Sequence, residues 1–204
     1  MRDNMKKILI LLISLVLAVS FFSCSSCNEP KEPLEISEEK AFEVLCDLVP
    51  RSYEFNVIFF GEGLPHEDGE YDDTMYVEVD LSESKYASIS EIKAEVERVY
   101  SERYLKSIYV NMFVGSKTTS SDGLLDNDVS PRYKVIDGKL MIDASYDEID
   151  IMGKLTVVST KVVKKTPEYV SVDAVCHDEN GNEIEKRFFL TLENEVWLLD
   201  GPTY

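Results

Sequence analysis

Apolar residues in the first half of the chain recur every three or four positions, which predicts amphipathic helices. The first helix begins after Ser37, a hydroxyl residue suited to capping a helix N-terminus. Its apolar positions are Ala41, Val44, Leu45 and Leu48. Pro50 predicts a kink or an end, because proline lacks the N–H that a helix interior needs. Residues 51–60 fit a helix or a strand; we favour a second helical piece that stops at Gly61, a residue type usual in left-handed caps.

Two further helices follow. Ser88 and Glu91 have the spacing of a capping box, in which a hydroxyl and a carboxylate each satisfy a free backbone N–H. The buried positions of this helix are predicted to be Ile89, Ile92, Val96 and Val99. Ser101 starts the next helix, which stops at Gly115. Its inward positions are predicted to be Tyr104, Leu105, Ile108, Tyr109 and Met112. Residues 117–130 are predicted to form a polar loop.

The chain after Pro131 alternates like β-strands. Asp137-Gly138 between alternating apolar residues is a strong signal for a two-residue hairpin. The later strands are predicted at residues 155–163, 169–176, 184–192 and 196–199. Helices followed by an antiparallel meander predict an α+β fold, in which N-terminal helices pack in a curved antiparallel sheet. Residues 37–204 are long enough for one such domain.

The N-terminal residues predict export. Residues 1–23 have a basic head and a short apolar run, the pattern of a signal peptide. Ser23-Cys24 then resembles the end of a bacterial lipobox, which implies a lipid on Cys24 and a protein held at the outer face of the cytoplasmic membrane. Residues 24–36 contain two prolines and are predicted to form a flexible tether. Ordinary secretion, with cleavage near residues 18–20, is the alternative.

Composition narrows the function classes. The chain has 39 acidic and 21 basic residues, a formal net charge of −18, and two histidines. This charge disfavours nucleic acid, because binding a phosphate backbone requires a lysine- or arginine-rich surface. No cofactor, metal or catalytic residue is predicted. Residues 61–74 hold six acids and no lysine or arginine, and such clustered carboxylates steer a basic partner. A solvated loop without a partner and a calcium site remain alternatives.

Three stretches carry a resemblance to a known family. They are Gly61-Glu62-Gly63-Leu64-Pro65, Tyr100-Ser101-Glu102-Arg103-Tyr104 and the tail from Trp197 to Tyr204. With the order of elements, they resemble the exported DL-endopeptidase inhibitor (IseA-type) family of Gram-positive bacteria. The resemblance implies a cone-shaped fold of the nuclear-transport-factor-2-like, SnoaL-like or cystatin-like kind. It also implies a non-enzymatic protein that occludes the basic groove of an NlpC-type cell-wall hydrolase with an acidic surface.

On this resemblance the acidic loop is the expected contact with the hydrolase. The partner-binding residues are then Glu62, His66, Glu67, Asp68, Glu70, Tyr71, Asp72 and Asp73. The competing interpretation is a small-ligand binder or pocket enzyme on the same fold, with a strand acid such as Asp143 or Asp173 and a tyrosine partner. Cys46 and Cys176 lie in apolar segments, where small core residues are favoured over a disulfide.

Overall fold

The computed structural model describes residues 32–66, 75–119 and 126–204, with backbone alone for residues 116–119 and 126–128. The predicted signal peptide and Cys24 lie outside the described residues, and so do Glu67, Asp68, Glu70, Tyr71, Asp72 and Asp73 of the acidic loop. Two of the predicted partner-binding residues, Glu62 and His66, are described. None of the helices in the described ranges is long and apolar enough to cross a membrane.

Helix α1 (Glu38–Phe60) is the longest element. The backbone N–H of Lys40 donates to Ser37 Oγ at 3.1 Å, so the predicted N-cap is confirmed. Pro50 lies inside the helix and does not end it. The strand alternative for residues 51–60 is wrong, because the second half of α1 buries Phe55, Ile58 and Phe59 at helical spacing.

Gly61 ends α1 without the predicted left-handed cap. Its φ is −96°, a value open to any residue. Its N–H donates to the carbonyl oxygens of Asn56 and Val57, both at 3.1 Å. A Cβ at this position would lie 3.1 Å from Ile151 Cδ1 and 3.3 Å from Val57 Cα. Close packing therefore favours glycine at this position more than the φ value does.

Helices α2 (Ile89–Val96) and α3 (Glu102–Tyr109) form as predicted. The capping box is confirmed: the N–H of Glu91 donates to Ser88 Oγ at 3.2 Å, and Glu91 Oε2 accepts from the N–H of Ala87 at 2.7 Å. After α3 the backbone widens into a π-helical turn (Val110–Val114), which the sequence pattern does not distinguish from α-helix. Gly115 follows with a φ of 76°.

A small antiparallel sheet has the strand order β1 (Tyr76–Glu78), β5 (Lys139–Asp143), β4 (Tyr133–Ile136). The β4–β5 turn at Asp137-Gly138 is the predicted hairpin, with positive φ at both residues. The predicted polar loop at 117–130 is partly wrong. Strands β2 (Ser116–Thr119) and β3 (Asp126–Val129) pair antiparallel there through backbone hydrogen bonds.

The larger sheet is an antiparallel meander, as predicted. Its strands pair in chain order and are β6 (Thr156–Lys165), β7 (Val170–His177), β8 (Glu183–Glu193) and β9 (Val196–Leu199). The inner face of β7 carries Val170, Val172, Ala174 and Cys176, each at most 3% exposed. Helix α1 packs against β6, and the core fills the space between them.

The architecture is therefore mixed α+β, as the sequence predicts, with helices first and antiparallel strands after them. Residues Pro33–Tyr204 form one compact unit. Ile36 is buried and Leu34 packs against the core, so the last residues of the segment predicted as a tether lie within this unit. The strands after Pro131 do not form one continuous sheet, because residues 144–155 separate the small sheet from the meander.

Candidate functional site

The C-terminal end of α1 carries a cleft with acidic walls. Glu62, Glu148 and Asp150 line it, beside Tyr53 and Val57, and its volume is about 390 Å³. The three carboxylate residues are exposed, and no lysine or arginine is among the described lining residues. We call this feature the acidic cleft. It brings one predicted partner-binding residue, Glu62, beside an acidic segment that the sequence argument did not select.

A strap of chain builds the second wall of the acidic cleft. The N–H of Ile149 donates to the carbonyl oxygen of Phe60 at 2.9 Å, which holds residues 147–151 across the end of α1. Ile151 packs against Gly61. Glu148 and Asp150 are exposed on either side of Ile149. Because this juxtaposition joins residues almost ninety positions apart, no local spacing in the sequence signals it.

A buried arginine anchors the same end of α1. Arg132 is 2% exposed, and its guanidinium donates to the carbonyl oxygens of Phe59 at 2.9 Å and Gly61 at 2.5 Å. The guanidinium carbon lies 4.4 Å from the centre of the Tyr146 ring. A cation at this position is favoured by the negative end of the helix dipole. Arg132 thus binds helix carbonyls that would otherwise be buried without a donor.

Tyr133 fixes the chain as it leaves α1. Its hydroxyl donates to the carbonyl oxygen of Ile58 at 2.7 Å and accepts from the N–H of Leu64 at 3.1 Å. Burial raises the pKa of Tyr133 to about 12. Gly63 has a φ of +88°, and a Cβ there would lie 2.8 Å from Arg132 Nη2 and 2.4 Å from Ile142 Cδ1. The stem of the acidic loop is therefore held in one conformation.

His66 belongs to this stem. Its Nδ1 lies 2.9 Å from the carbonyl oxygen of Leu64, and since a carbonyl only accepts, Nδ1 carries the hydrogen. His66 also forms a bridge with Val79, and the N–H of Asp80 donates to the carbonyl oxygen of Pro65 at 2.8 Å. The backbone at Pro65 and His66 therefore attaches the stem to the chain beyond β1, while the half-buried ring bonds within the stem, and Glu62 is the described member of the predicted set that faces solvent.

The other two stretches that carry the family resemblance dock on each other. Ser101 Oγ donates to Asp200 Oδ1 at 2.5 Å, and the N–H of Ser101 donates to the carbonyl oxygen of Leu199 at 2.8 Å. Arg103 forms an ion pair with Asp200, whose side chain is 1% exposed. The Tyr204 ring lies 4.6 Å from the Phe60 ring. The contacts of these two stretches hold the C-terminal tail against the start of α3 and the end of α1.

A network of buried hydrogen bonds also connects the C-terminal tail to α1. Tyr100 Oη donates to Asn56 Oδ1 at 3.1 Å, and Asn56 Nδ2 donates to Thr203 Oγ1 at 2.9 Å. Thr203 Oγ1 donates to Ser52 Oγ at 2.8 Å, which in turn donates to the carbonyl oxygen of Val49 at 2.7 Å. All four side chains are at most 4% exposed. Every link has a partner, as a stable buried polar network requires.

A larger groove is lined in part by Tyr100, a member of this network. Its volume is about 870 Å³, with Leu105, Tyr109 and Leu198 among its apolar residues. Its charged residues are of both signs: Arg51, Glu97, Arg98, Glu102, Lys106 and Glu193. Glu97 accepts a hydrogen bond from Tyr109 Oη at 3.0 Å, and burial, with this bond, raises the Tyr109 pKa above its usual range. The groove suits an amphipathic ligand more than a basic one.

The strand acids proposed for a pocket enzyme are accounted for by their neighbours. Asp173 is half exposed and pairs with Arg187 at 2.6 and 2.9 Å, which holds the pKa of that carboxyl below its usual range. Asp143 accepts from Ser145 Oγ at 2.6 Å in the turn that follows β5. Among the described residues, no three histidine, cysteine or acidic side chains are grouped to hold a metal ion.

The comparisons with known proteins add no relationship. No protein-family model matches the chain, and none of the curated proteins is significantly similar to it.

Proposed function

We propose that this protein is an exported, lipid-anchored and non-enzymatic regulator that occludes the groove of an NlpC-type cell-wall endopeptidase. The observation that carries the proposal is the acidic cleft, where Glu62 stands opposite Glu148 and Asp150 at the stem of the acidic loop. Carboxylates from two distant segments share one solvent-facing surface, and its base is fixed by Arg132 and Tyr133. A rigid charged surface loses little conformational entropy on binding.

The partner chemistry follows from this charge. Exposed carboxylates that share a surface raise the local negative potential and accelerate association with a positively charged surface, and the one described cation at the base of the cleft, Arg132, is buried. Tyr53 lines the same cleft and offers the aromatic contact that is frequent at the centre of interfaces. We therefore infer a partner whose binding groove is rimmed by lysine and arginine, and we infer no nucleic acid partner. The protein requires no cofactor in this role.

We further propose a cone-shaped fold of the nuclear-transport-factor-2-like kind and an anchor at Cys24. The packing of α1 against the inner face of a four-stranded meander supports the first proposal. The basic and apolar pattern of residues 1–23 supports the second. Two acyl chains on a cysteine are sufficient for stable membrane attachment. Metabolic labelling with a fatty-acid analogue tests the anchor, because Cys24→Ser must abolish incorporation.

Inhibition of peptidoglycan hydrolysis tests the proposed function. Purified protein at micromolar concentration should slow the release of peptide fragments by NlpC-type hydrolases. Neutralising Glu67, Asp68, Glu70, Asp72 and Asp73 to Asn or Gln should weaken inhibition about tenfold at low salt and less at high salt. An absence of inhibition across several such hydrolases would reject the proposal.

The groove beside α3 favours a second candidate, a small-ligand binder. Its apolar part is formed by Leu105, Tyr109 and Leu198, and pockets for small ligands are mostly apolar with a few polar groups. The substitution Val196→Asp would place a charge in the groove at a side chain that is 55% exposed and lies outside the core. If the groove holds the functional ligand, this substitution should abolish binding of an amphipathic fluorescent probe while inhibition by the acidic surface is retained.

A further inference from the structure

Two cysteines from distant parts of the chain lie on the two elements that pack together, Cys46 on α1 and Cys176 in the meander. Cys46 lies on α1, and its Sγ approaches the carbonyl oxygen of Val157 on β6 at 4.0 Å. Val157 is the cross-strand partner of Cys176 on β7, so their Cα atoms lie about 5 Å apart. Paired residues project to the same side of a sheet, and both are buried here. Cys46 and Cys176 are therefore both neighbours of Val157, the first through the Val157 carbonyl oxygen and the second as its cross-strand partner.

We propose that Cys46 and Cys176 form a disulfide bond when the protein meets an oxidising environment, and that this bond fastens α1 to β7. Both are free thiols in this structure. The proposal goes beyond the proposed function and does not depend on it, because it requires only the contact between α1 and the sheet.

The two thiols differ in exposure, and this difference sets the order in which they would react with an oxidant. Cys46 is exposed and can react with a disulfide in solution, whereas Cys176 is fully buried and needs to reach only Cys46. Burial raises the pKa of the Cys176 thiol, the Lys186 ammonium lowers it, and a negative charge on Cys46 raises it. Lys186 partly offsets the effect of burial on the Cys176 thiolate that the second step requires, since the thiolate is the nucleophile.

The reaction balances with a low-molecular-weight disulfide such as oxidised glutathione as the oxidant. The Cys46 thiolate attacks one sulfur of the oxidant and releases the first glutathione thiolate, which leaves a mixed disulfide on Cys46. The Cys176 thiolate then attacks Cys46 Sγ and releases the second glutathione. One Sγ–Sγ bond forms and one glutathione S–S bond breaks. The two protons from the protein thiols pass to the two glutathione thiolates.

The helix is locally adjustable at the cysteine itself. Pro50 has no N–H, so the carbonyl of Cys46, four residues earlier, lacks its usual helix hydrogen bond. Bond formation requires the sulfur atoms to approach to about 2.05 Å. A rotation of the Cys46 side chain, with a small backbone shift at this unbonded turn, supplies that approach without unfolding the rest of α1.

Peptide mapping of the full-length chain tests the proposal directly. The purified protein is incubated with millimolar oxidised glutathione, alkylated, digested without reductant and analysed by mass spectrometry. We expect a crosslinked pair of peptides that contain Cys46 and Cys176, two hydrogen atoms lighter than the reduced pair. The thermal unfolding midpoint should rise by about 5–15 °C and return on reduction.

Two variants separate this bond from other cysteine chemistry, including that of Cys24 and Cys27. Cys176→Ala should leave Cys46 as a lasting mixed disulfide with glutathione, without the rise in unfolding midpoint. Cys46→Ser should leave Cys176 unmodified. A wild-type chain that accumulates glutathione on Cys46 and never yields the crosslinked peptides would overturn the proposal. So would crosslinks that pair Cys46 or Cys176 only with Cys24 or Cys27.

Discussion

The hydrogen bonds from Arg132 to the carbonyl oxygens at the end of α1 contribute to the stability of the fold. Replacing Arg132 with methionine removes the donors to Phe59 and Gly61 and leaves buried acceptors unpaired. We expect Arg132→Met to lower the free energy of unfolding by about 2–4 kcal/mol in urea titrations. Arg98→Met is the matched control, since the Arg98 side chain is 67% exposed and pairs with Glu95 at the surface, and should cost about 0.5 kcal/mol or less. Equal stabilities of the two variants would refute the anchoring role.

Two glycines have similar φ values but different surroundings. Substituting each with alanine therefore distinguishes the energetic cost of a positive φ from the cost of steric overlap. Gly63 has a φ of +88° and Gly138 a φ of +81°. A Cβ on Gly63 would meet Ile142 Cδ1 at 2.4 Å, whereas a Cβ on Gly138 has no described atom within 4 Å. We expect Gly138→Ala to cost about 1 kcal/mol of unfolding free energy, and Gly63→Ala about 2 kcal/mol more. Equal costs in chemical denaturation would show that the stem of the acidic loop is loosely packed.

At the scale of elements, the buried hydrogen-bond chain links α1 to the tail, and it responds to pH. Burial raises the pKa of Tyr100 to about 12, against about 10 for an unfolded tyrosine. Between these values the unfolded chain has lost a proton that the folded chain keeps. The stabilising contribution is therefore complete below pH 10 and is lost as pH rises towards 12.

This predicts a fall in unfolding free energy between pH 8 and pH 11, measured by urea titration. The full contribution of Tyr100 is at most about 2.7 kcal/mol, two units at 1.36 kcal/mol each. Tyr100→Phe should be less stable at pH 8, where Asn56 Oδ1 loses its donor, but should show a shallower decline with pH. A decline as steep as in the wild type would contradict the assignment.

Elements whose signals are local could be predicted from the sequence. The capping box at Ser88 and Glu91 and the turn at Asp137-Gly138 depend on residues a few positions apart, and both form. Pro50 does not end α1, because burial of the apolar face on both sides of it outweighs one lost hydrogen bond. The β2–β3 hairpin could not be predicted from apolar alternation, since it has none.

The candidate site could be predicted only in part. Glu62 was identified from the acidic composition of its loop, whereas Glu148 and Asp150 reach the same cleft through the strap over α1. The role of Arg132 was also inaccessible, because an arginine beside a strand is ordinarily solvent-exposed. Long-range packing decides both positions, and one sequence carries no direct signal for it.

For the molecule as a whole, we propose that the acidic cleft is the part that meets a basic partner. Two variants with the same change in net charge test this. One neutralises the cleft with Glu62→Gln, Glu148→Gln and Asp150→Asn; the other neutralises exposed acids elsewhere with Glu39→Gln, Glu168→Gln and Glu195→Gln. Only the first alters the proposed contact, so a difference between them cannot come from overall charge.

The most direct measurement is the association rate of each variant with an NlpC-type hydrolase, followed by stopped-flow fluorescence at low and at high salt. The account predicts that the cleft variant associates about tenfold more slowly than the wild type at low salt, that the gap narrows at high salt, and that the control variant stays close to the wild type. Equal rates for the two variants, or no measurable association of the wild type, would contradict it.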